Sequence, residues 1–79
     1  MRIDKYLKVT RLIKRRTIAQ KACEGGKIHI NEKSAKPGTA VKIGDIITIS
    51  IGQNPIKAEV VQIKESVRAE DAQTMYKIL

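Results

Sequence analysis

Apolar residues near the N-terminus recur at the spacing of a short helix. Ile3 and Leu7 are four residues apart, and Tyr6 lies beside them on the same face. Cations recur every third residue over residues 2–14. On one straight helix each step of three residues falls about 60° short of a full turn, so the row of cations would wind around the helix onto its apolar face. The pattern therefore predicts that the first helix ends near Thr10 and that the chain turns there.

A second helix is predicted to begin between Arg15 and Thr17. Apolar residues one turn apart form a stripe along it, and the glycines at residues 25–26 provide a left-handed stop. The stripe consists of Ile18, Ala19, Ala22 and Cys23. The two helices are then joined by "RLIKRRT" at residues 11–17, a basic segment that we call the elbow.

Beyond residue 26 the pattern changes to a period of two, which is typical of strands. Turn residues at positions 36–38, 44–45 and 52–55 divide this region into short segments. The alternating apolar residues are Ile28 and Ile30; Val41 and Ile43; Ile47, Ile49 and Ile51; and Ile56, Ala58, Val60 and Ile63. Residues 69–79 can form a last helix with acids in its first turn. We expect an α+β fold, in which two short N-terminal helices (an alpha-L motif) pack on a small antiparallel sheet, with a short C-terminal helix.

The charge of the chain is concentrated at one end. The chain has 79 residues, and we expect a single domain over residues 1–79 with one modest core. Of the net charge of +8, residues 1–21 carry +7, residues 22–50 carry +1 and residues 51–79 are neutral. Such a focused field is typical of a nucleic-acid site. A solubility patch is the alternative, but solubility gives no reason for so uneven a distribution.

Several other functional classes find little support in the sequence. Cys23 and His29 are the only candidates for a nucleophile and its base, and Cys23 falls on the predicted apolar stripe. One Cys and one His fall short of the ligand set of a zinc site. The chain shows no apolar run long enough for a membrane span and no signal peptide, and its single Cys fits a reducing compartment. We therefore expect a cytoplasmic, monomeric binding protein that is not an enzyme and has no cofactor, metal or membrane partner.

The aromatic content bears on the kind of nucleic acid. The chain has no Phe, no Trp and only two Tyr, whereas proteins that bind single strands generally stack bases on aromatic side chains. Tyr6 has helical spacing with Ile3, which favours a place in the core. The site should therefore recognise phosphate positions through Arg and Lys, which suits a folded RNA. Charge alone does not exclude DNA.

The segment "RIDKYLKVTRLIKRRTIAQKACEGGKIHIN", followed by "KPG" and "KIGDIITI", resembles the RNA-binding domain named after the fourth protein of the small ribosomal subunit. The resemblance covers residues 1–52, and its motifs are specific in combination. The positions that fill the family's pattern are Arg2, Asp4, Leu7, Arg11, Arg16, Ala19, Gly26, Asn31, Gly44 and Asp45. The resemblance implies that RNA binds at the two helices and the elbow, where the charge analysis also points.

Two residues depart from the family's pattern. Arg15 stands where the family usually has Ser, so a helix-capping hydroxyl is missing there, and Thr17 is the partial substitute. Glu32 replaces the Gly of an Asn-Gly hairpin turn. Because a non-glycine residue at positive φ costs roughly 1 kcal/mol, we expect a longer turn or a turn of another type.

The predicted site consists of basic residues around the elbow. The predicted RNA-binding residues are Arg2, Lys5, Lys8, Arg11, Lys14, Arg15, Arg16, Lys21, Lys27 and Asn31. Leu12 and Ile13 are expected to turn inward between the helices. Asp4, the only acid in the basic segment, is predicted to orient Arg11 or Arg16, and a contact with the helix dipole is the alternative.

The resemblance also implies a cellular role. Members of this size act on the large ribosomal subunit, so the expected partners are its rRNA, peptidyl-tRNA and the factor that adds C-terminal tails to stalled chains. The function implied is ribosome-associated quality control, the rescue of stalled ribosomes on split large subunits. The alternatives are a heat-shock-type role on large subunits blocked with peptidyl-tRNA, a DNA-architectural protein, and the detached targeting subunit of an enzyme.

Overall fold

Two short helices precede a five-stranded antiparallel sheet in the computed structural model, which describes residues 1–79. The helices are α1 (Ile3–Val9) and α2 (Arg16–Glu24), and the strands are β1 (Ile28–Ile30), β2 (Lys33–Ser34), β3 (Ile46–Ile49), β4 (Ile56–Val60) and β5 (Tyr76–Ile78). A 3-10 helix, Ala69–Met75, lies between β4 and β5. The sheet order is β2-β1-β3-β4-β5, and the prediction of an α+β fold is confirmed. None of the helices combines the length and the hydrophobicity that a membrane span requires.

Helix α1 ends where the sequence predicts. The Thr10 hydroxyl donates a hydrogen bond to the Tyr6 carbonyl oxygen at 2.8 Å, and Arg11 then adopts a φ of 61°. This left-handed residue turns the chain away from the helix axis. The Ile13 amide donates to the Leu7 carbonyl at 3.1 Å, so the elbow folds back against α1 and buries Ile13.

Helix α2 begins at Arg16 without a side-chain cap. Arg15 is extended at the N-cap and makes no capping hydrogen bond, which agrees with the missing hydroxyl at that position. The buried face consists of Ala19, Ala22 and Cys23. The prediction that Ile18 belongs to the buried stripe is wrong, because Ile18 is 48% exposed. Since neighbouring residues are rotated by about 100° on a helix, the burial of Ala19 turns Ile18 towards solvent.

The core lies between the two helices and one face of the sheet. It comprises fifteen buried residues contributed by both helices, the elbow, the strands and the 3-10 helix. Tyr6 is fully buried, and its hydroxyl donates to the Met75 carbonyl oxygen at 2.8 Å. Burial, together with the neighbouring Tyr76, raises the pKa of Tyr6 to about 12. The phenol is therefore a neutral donor that ties α1 to the C-terminal part of the chain.

The strands are shorter than the alternating pattern predicts. The run through Val41 and Ile43 is not a strand, because Gly44 takes a φ of 94° and turns the chain just before β3. Val41 is buried, whereas Ile43 is 68% exposed. Ile51 lies beyond β3 and is exposed, and Ile63 lies beyond β4 and packs partly against the core.

The β1–β2 hairpin has a two-residue turn formed by Asn31 and Glu32. Both residues have positive φ, 50° and 71°, which is the backbone of a type I′ turn. The expectation of a longer turn or of another type is therefore wrong. The Asn31 side chain donates to Asp45 Oδ1 at 3.0 Å and accepts from the Ile46 amide at 2.9 Å. These two bonds stabilise the turn and offset the cost of a non-glycine residue at Glu32.

The C-terminal segment is part helix and part strand. The predicted helix over residues 69–79 is a 3-10 helix that ends at Met75, and the chain then continues as β5. Tyr76 pairs with Val60, so β5 uses the free edge of β4. The sequence does not predict this strand, because the strand depends on a partner that is distant in sequence. The edge of β4 supplies the partners for its backbone hydrogen bonds.

Candidate RNA interface

Asp4 is a fully buried carboxylate at the centre of the basic segment. Its Oδ1 accepts a hydrogen bond from the Lys5 amide at 2.8 Å, and its Oδ2 accepts from Gln20 Nε2 at 3.0 Å. Arg2 Nη2 lies 3.1 Å from Oδ2, and Arg16 Nη2 lies 3.4 Å from Oδ1. Of the two expected partners, Arg16 makes the contact and Arg11 does not. Arg2 makes a contact that the sequence did not predict.

The hydrogen bonds keep this carboxylate ionised. Burial alone would raise the pKa of Asp4. Hydrogen bonds from Gln20, Arg16 and the Lys5 amide, and the charge of Arg16, outweigh burial and hold the pKa below its ordinary value of 3.8. Asp4 is therefore a charged, fixed anchor for two arginines at neutral pH.

Arg16 combines a buried contact with an exposed end. Its Nε lies 3.3 Å from Asp4 Oδ2, but this buried N–H is not aligned for a hydrogen bond and has no other partner. The pair is therefore an ion pair supported by one long hydrogen bond. The side chain remains 42% exposed, so the guanidinium can still donate to a ligand in solvent.

Arg2 is positioned by Asp4 and by the turn at residues 36–39. The Ile3 amide donates to the Thr39 carbonyl at 2.7 Å, which holds the start of α1 against this turn. The Arg2 guanidinium carbon lies 3.9 Å from the place that a Cβ would take on Gly38. With 54% of its side chain exposed, Arg2 is supported on one side and open on the other.

A concave surface of about 270 Å³, which we call the basic groove, lies beside α1 and the elbow. Its lining residues are Lys5, Lys8, Val9, Arg11, Lys14, Arg16, Glu65, Ser66 and Val67. Five of these are cations from the predicted site, so the fold places them around one opening. Within the elbow, Ile13 is buried and Leu12 is half-buried. Because these two side chains face the core, the basic side chains of the elbow face outward.

The other predicted residues lie outside the basic groove. Three of them are exposed: Arg15 at the N-cap of α2, Lys21 along the helix and Lys27 just after its C-terminal end. The Asn31 amide is occupied by Asp45 and Ile46 in the hairpin. Its role in RNA binding stays a prediction.

Two contributors to the site were not predicted from the sequence. Gln20 donates to Asp4, and its place one helical turn after Arg16 is the signal that could have indicated it. The segment Glu65–Val67 lines the groove from far along the chain, and no local pattern indicates that contact. Cys23 is buried in the core, and burial raises the pKa of its thiol. No hydrogen bond joins Cys23 to His29.

Comparison with known proteins gives consistent matches. Residues 1–47 match the family model described as the S4 domain. Over 78 residues the chain is 51% identical to a protein of Halalkalibacterium halodurans named RQC P-site tRNA stabilizing factor. The aligned region covers 99% of this chain and 89% of that protein. Over 77 residues it is 38% identical to the Heat shock protein 15 homolog of Aeromonas salmonicida. That aligned region covers 96% of this chain and 58% of the homolog.

A solved structure shows the same fold. It is described as the trimeric structure of Vibrio cholerae Heat Shock Protein 15, and it is 36% identical to this chain. The match has a TM-score of 0.92 and covers 100% of this chain and 81% of the other. The similarity therefore extends beyond residue 47 to the whole sheet.

Proposed function

This chain belongs to the S4 domain family and, within it, to the family of RQC P-site tRNA stabilizing factors, and from that premise we propose that it is an RNA-binding factor of ribosome-associated quality control. It binds rRNA and peptidyl-tRNA on split large subunits and supports the C-terminal tailing of stalled nascent chains. It acts as a binding factor without chemistry of its own, in the cytoplasm where the ribosomes are.

The observation that carries this proposal is the pair of arginines held by buried Asp4. Arg2 and Arg16 each contact the carboxylate while about half of each side chain stays exposed. Because Asp4 fixes both side chains before a ligand arrives, RNA binding need not order them, which lowers its entropic cost. Arginine forks of this kind suit the non-esterified oxygens of phosphates.

The basic groove supplies the remaining affinity. Its five cations create a positive field that attracts a polyanion and steers it towards Arg2 and Arg16. With Tyr6 buried, the groove has no aromatic platform. The surface therefore recognises the positions of phosphates in a folded RNA, as in rRNA and tRNA, more readily than unstacked bases.

A heat-shock-type role on large subunits blocked with peptidyl-tRNA is the second candidate. It is favoured by the similarity to Heat shock protein 15, which extends over the whole chain in both sequence and structure. We propose that this chain acts as a monomer. Light scattering of the purified protein tests that point, since the related structure is described as a trimer.

The test is a comparison of cells with and without this chain. In a sucrose gradient we expect the tagged protein to sediment with large subunits that carry peptidyl-tRNA, and cells that lack it should accumulate stalled chains without C-terminal tails. Normal tailing in its absence, with failure to clear blocked large subunits, would favour the heat-shock-type role. Sedimentation with nucleoids would contradict both.

A further inference from the structure

Residues 61–68 connect β4 to the 3-10 helix, and Glu65, Ser66 and Val67 within this segment form one wall of the basic groove. Two backbone amides at the start of this segment donate to the Met75 carbonyl oxygen, at 2.8 and 3.0 Å. Ile63 and Val67 pack partly against the core. The segment is therefore anchored on both sides of Glu65, which lines the groove.

Glu65 is the one acid among the nine residues that line the groove. It forms an ion pair with Lys5, sixty residues away in sequence. A hydrogen bond and the positive charge from Lys5 lower the pKa of Glu65, so the carboxylate is charged at neutral pH. The Glu65 side chain is 76% exposed, so the ion pair is open to solvent.

We propose that Glu65 limits the affinity of the RNA site by competing with RNA phosphate for Lys5. This inference rests on the proposed function, because it takes the basic groove as the RNA site. An exposed ion pair contributes little stability, so a phosphate that also meets the other cations can displace the carboxylate. An RNA that reaches Lys5 with few other contacts meets a neutralised lysine and a repelling carboxylate.

Glu65 therefore weakens the binding of every RNA that places a phosphate at Lys5. Breaking the Lys5–Glu65 pair costs each such RNA the same free energy, so removing Glu65 should raise their affinities by the same factor. An RNA that makes no contact with Lys5 does not break the pair and should gain less.

The salt dependence carries a second signature. Salt weakens the contact between Lys5 and phosphate, but in wild type it also weakens the competing Lys5–Glu65 pair, so the two effects partly cancel. In Glu65→Gln this compensation is absent, and the slope of log K against log salt should become steeper by up to about 0.7–0.9, the value for one phosphate contact. A change of net charge alone, at a site away from the groove, should leave that slope unchanged.

The experiment compares Glu65→Gln with Glu70→Gln in the full chain. Glu70 is also exposed, lies 3.9 Å from Arg68 and does not line the groove, so both variants gain the same charge. The two probes are large ribosomal subunits carrying peptidyl-tRNA and poly(A)·poly(U) duplex. We expect Glu65→Gln to bind both probes about two- to fivefold more tightly, the range of an exposed ion pair. Glu70→Gln should match wild type.

The result that overturns the proposal is a Glu65→Gln variant that binds like Glu70→Gln, or one that binds large subunits more weakly than wild type. Arg16→Ala is measured in the same series. If Arg16→Ala binds as wild type does, the proposed function fails at its RNA site. If Arg16→Ala weakens binding while Glu65→Gln equals Glu70→Gln, only the role of Glu65 fails. Melting curves for every variant show that each is folded at the assay temperature.

Discussion

Replacing Asp4 with Asn sets two physical effects against each other. The substitution raises the net charge by one, which by itself should strengthen the binding of a polyanion. It also removes the charged acceptor shared by Arg2, Arg16 and Gln20. The new amide group presents N–H donors where four donors, counting the Lys5 amide, already converge. We therefore expect Asp4→Asn to bind RNA more weakly although it carries more positive charge.

The magnitudes follow from burial and exposure. Removing one member of a fully buried ion pair costs about 3–5 kcal/mol. Here the two arginines are about half exposed and can be hydrated again, so we expect the free energy of unfolding to fall by about 2 kcal/mol, the value of a charge-assisted hydrogen bond. Two arginines that must be ordered on binding should cost about 1–3 kcal/mol of affinity.

Urea unfolding and fluorescence anisotropy with labelled RNA measure the two quantities. The matched control is Asp71→Asn, because Asp71 is an exposed acid on the 3-10 helix and its substitution changes the net charge equally. The control should bind RNA as tightly as wild type or slightly more tightly. Equal or stronger binding by folded Asp4→Asn would refute the orienting role of Asp4.

The same contacts determine how the protein should respond to acid pH, to two other substitutions and to salt. Because the pKa of Asp4 is lower in the folded chain than in the unfolded one, the stability that Asp4 contributes should be complete above pH 3.8 and should be lost as the pH falls through the pKa of the folded state. When the free energy of unfolding in urea is measured against pH, Asp4→Asn should not show this loss. Since Arg11 has positive φ, Arg11→Gly should leave the free energy of unfolding unchanged or raise it by about 1 kcal/mol, while RNA binding weakens. A lower free energy of unfolding would contradict this. Cys23→Ala should lose about 1–2 kcal/mol in urea unfolding and keep full RNA binding, and a stable variant that fails to bind would reveal a functional thiol. RNA titrations of wild type should give a slope of log K against log salt of about −3.5 to −6, and a slope near −1 would mean that the basic segment is only a solubility patch.

The helices and the elbow could be predicted because their signals are local. The i, i+4 spacing of Ile3 and Leu7, the drift of the cation row and the glycines after α2 all lie within one or two turns of the structure that they specify. The concentration of charge likewise indicates the elbow from the sequence alone. These features need no knowledge of the rest of the fold.

The missed features depend on parts of the chain that are distant in sequence. Strand β5 forms on the edge of β4, and Glu65 reaches Lys5 across the fold, so neither leaves a pattern in its own segment. Ile43 has a strand-like pattern, but Gly44 ends the run before it can pair. The positive φ of Glu32 is tolerated because the Asn31 side chain forms two hydrogen bonds with the segment at Asp45 and Ile46.

The central claim, that RNA binds at the arginines anchored by Asp4, is tested most directly by one comparison. Arg16→Ala and Arg68→Ala remove the same charge, but Arg68 is 82% exposed and lies outside the basic groove. In co-sedimentation with large ribosomal subunits, Arg16→Ala should lose about 1–3 kcal/mol of binding free energy, and Arg68→Ala should remain on the subunits as wild type does. Equal retention of both variants would contradict the claim.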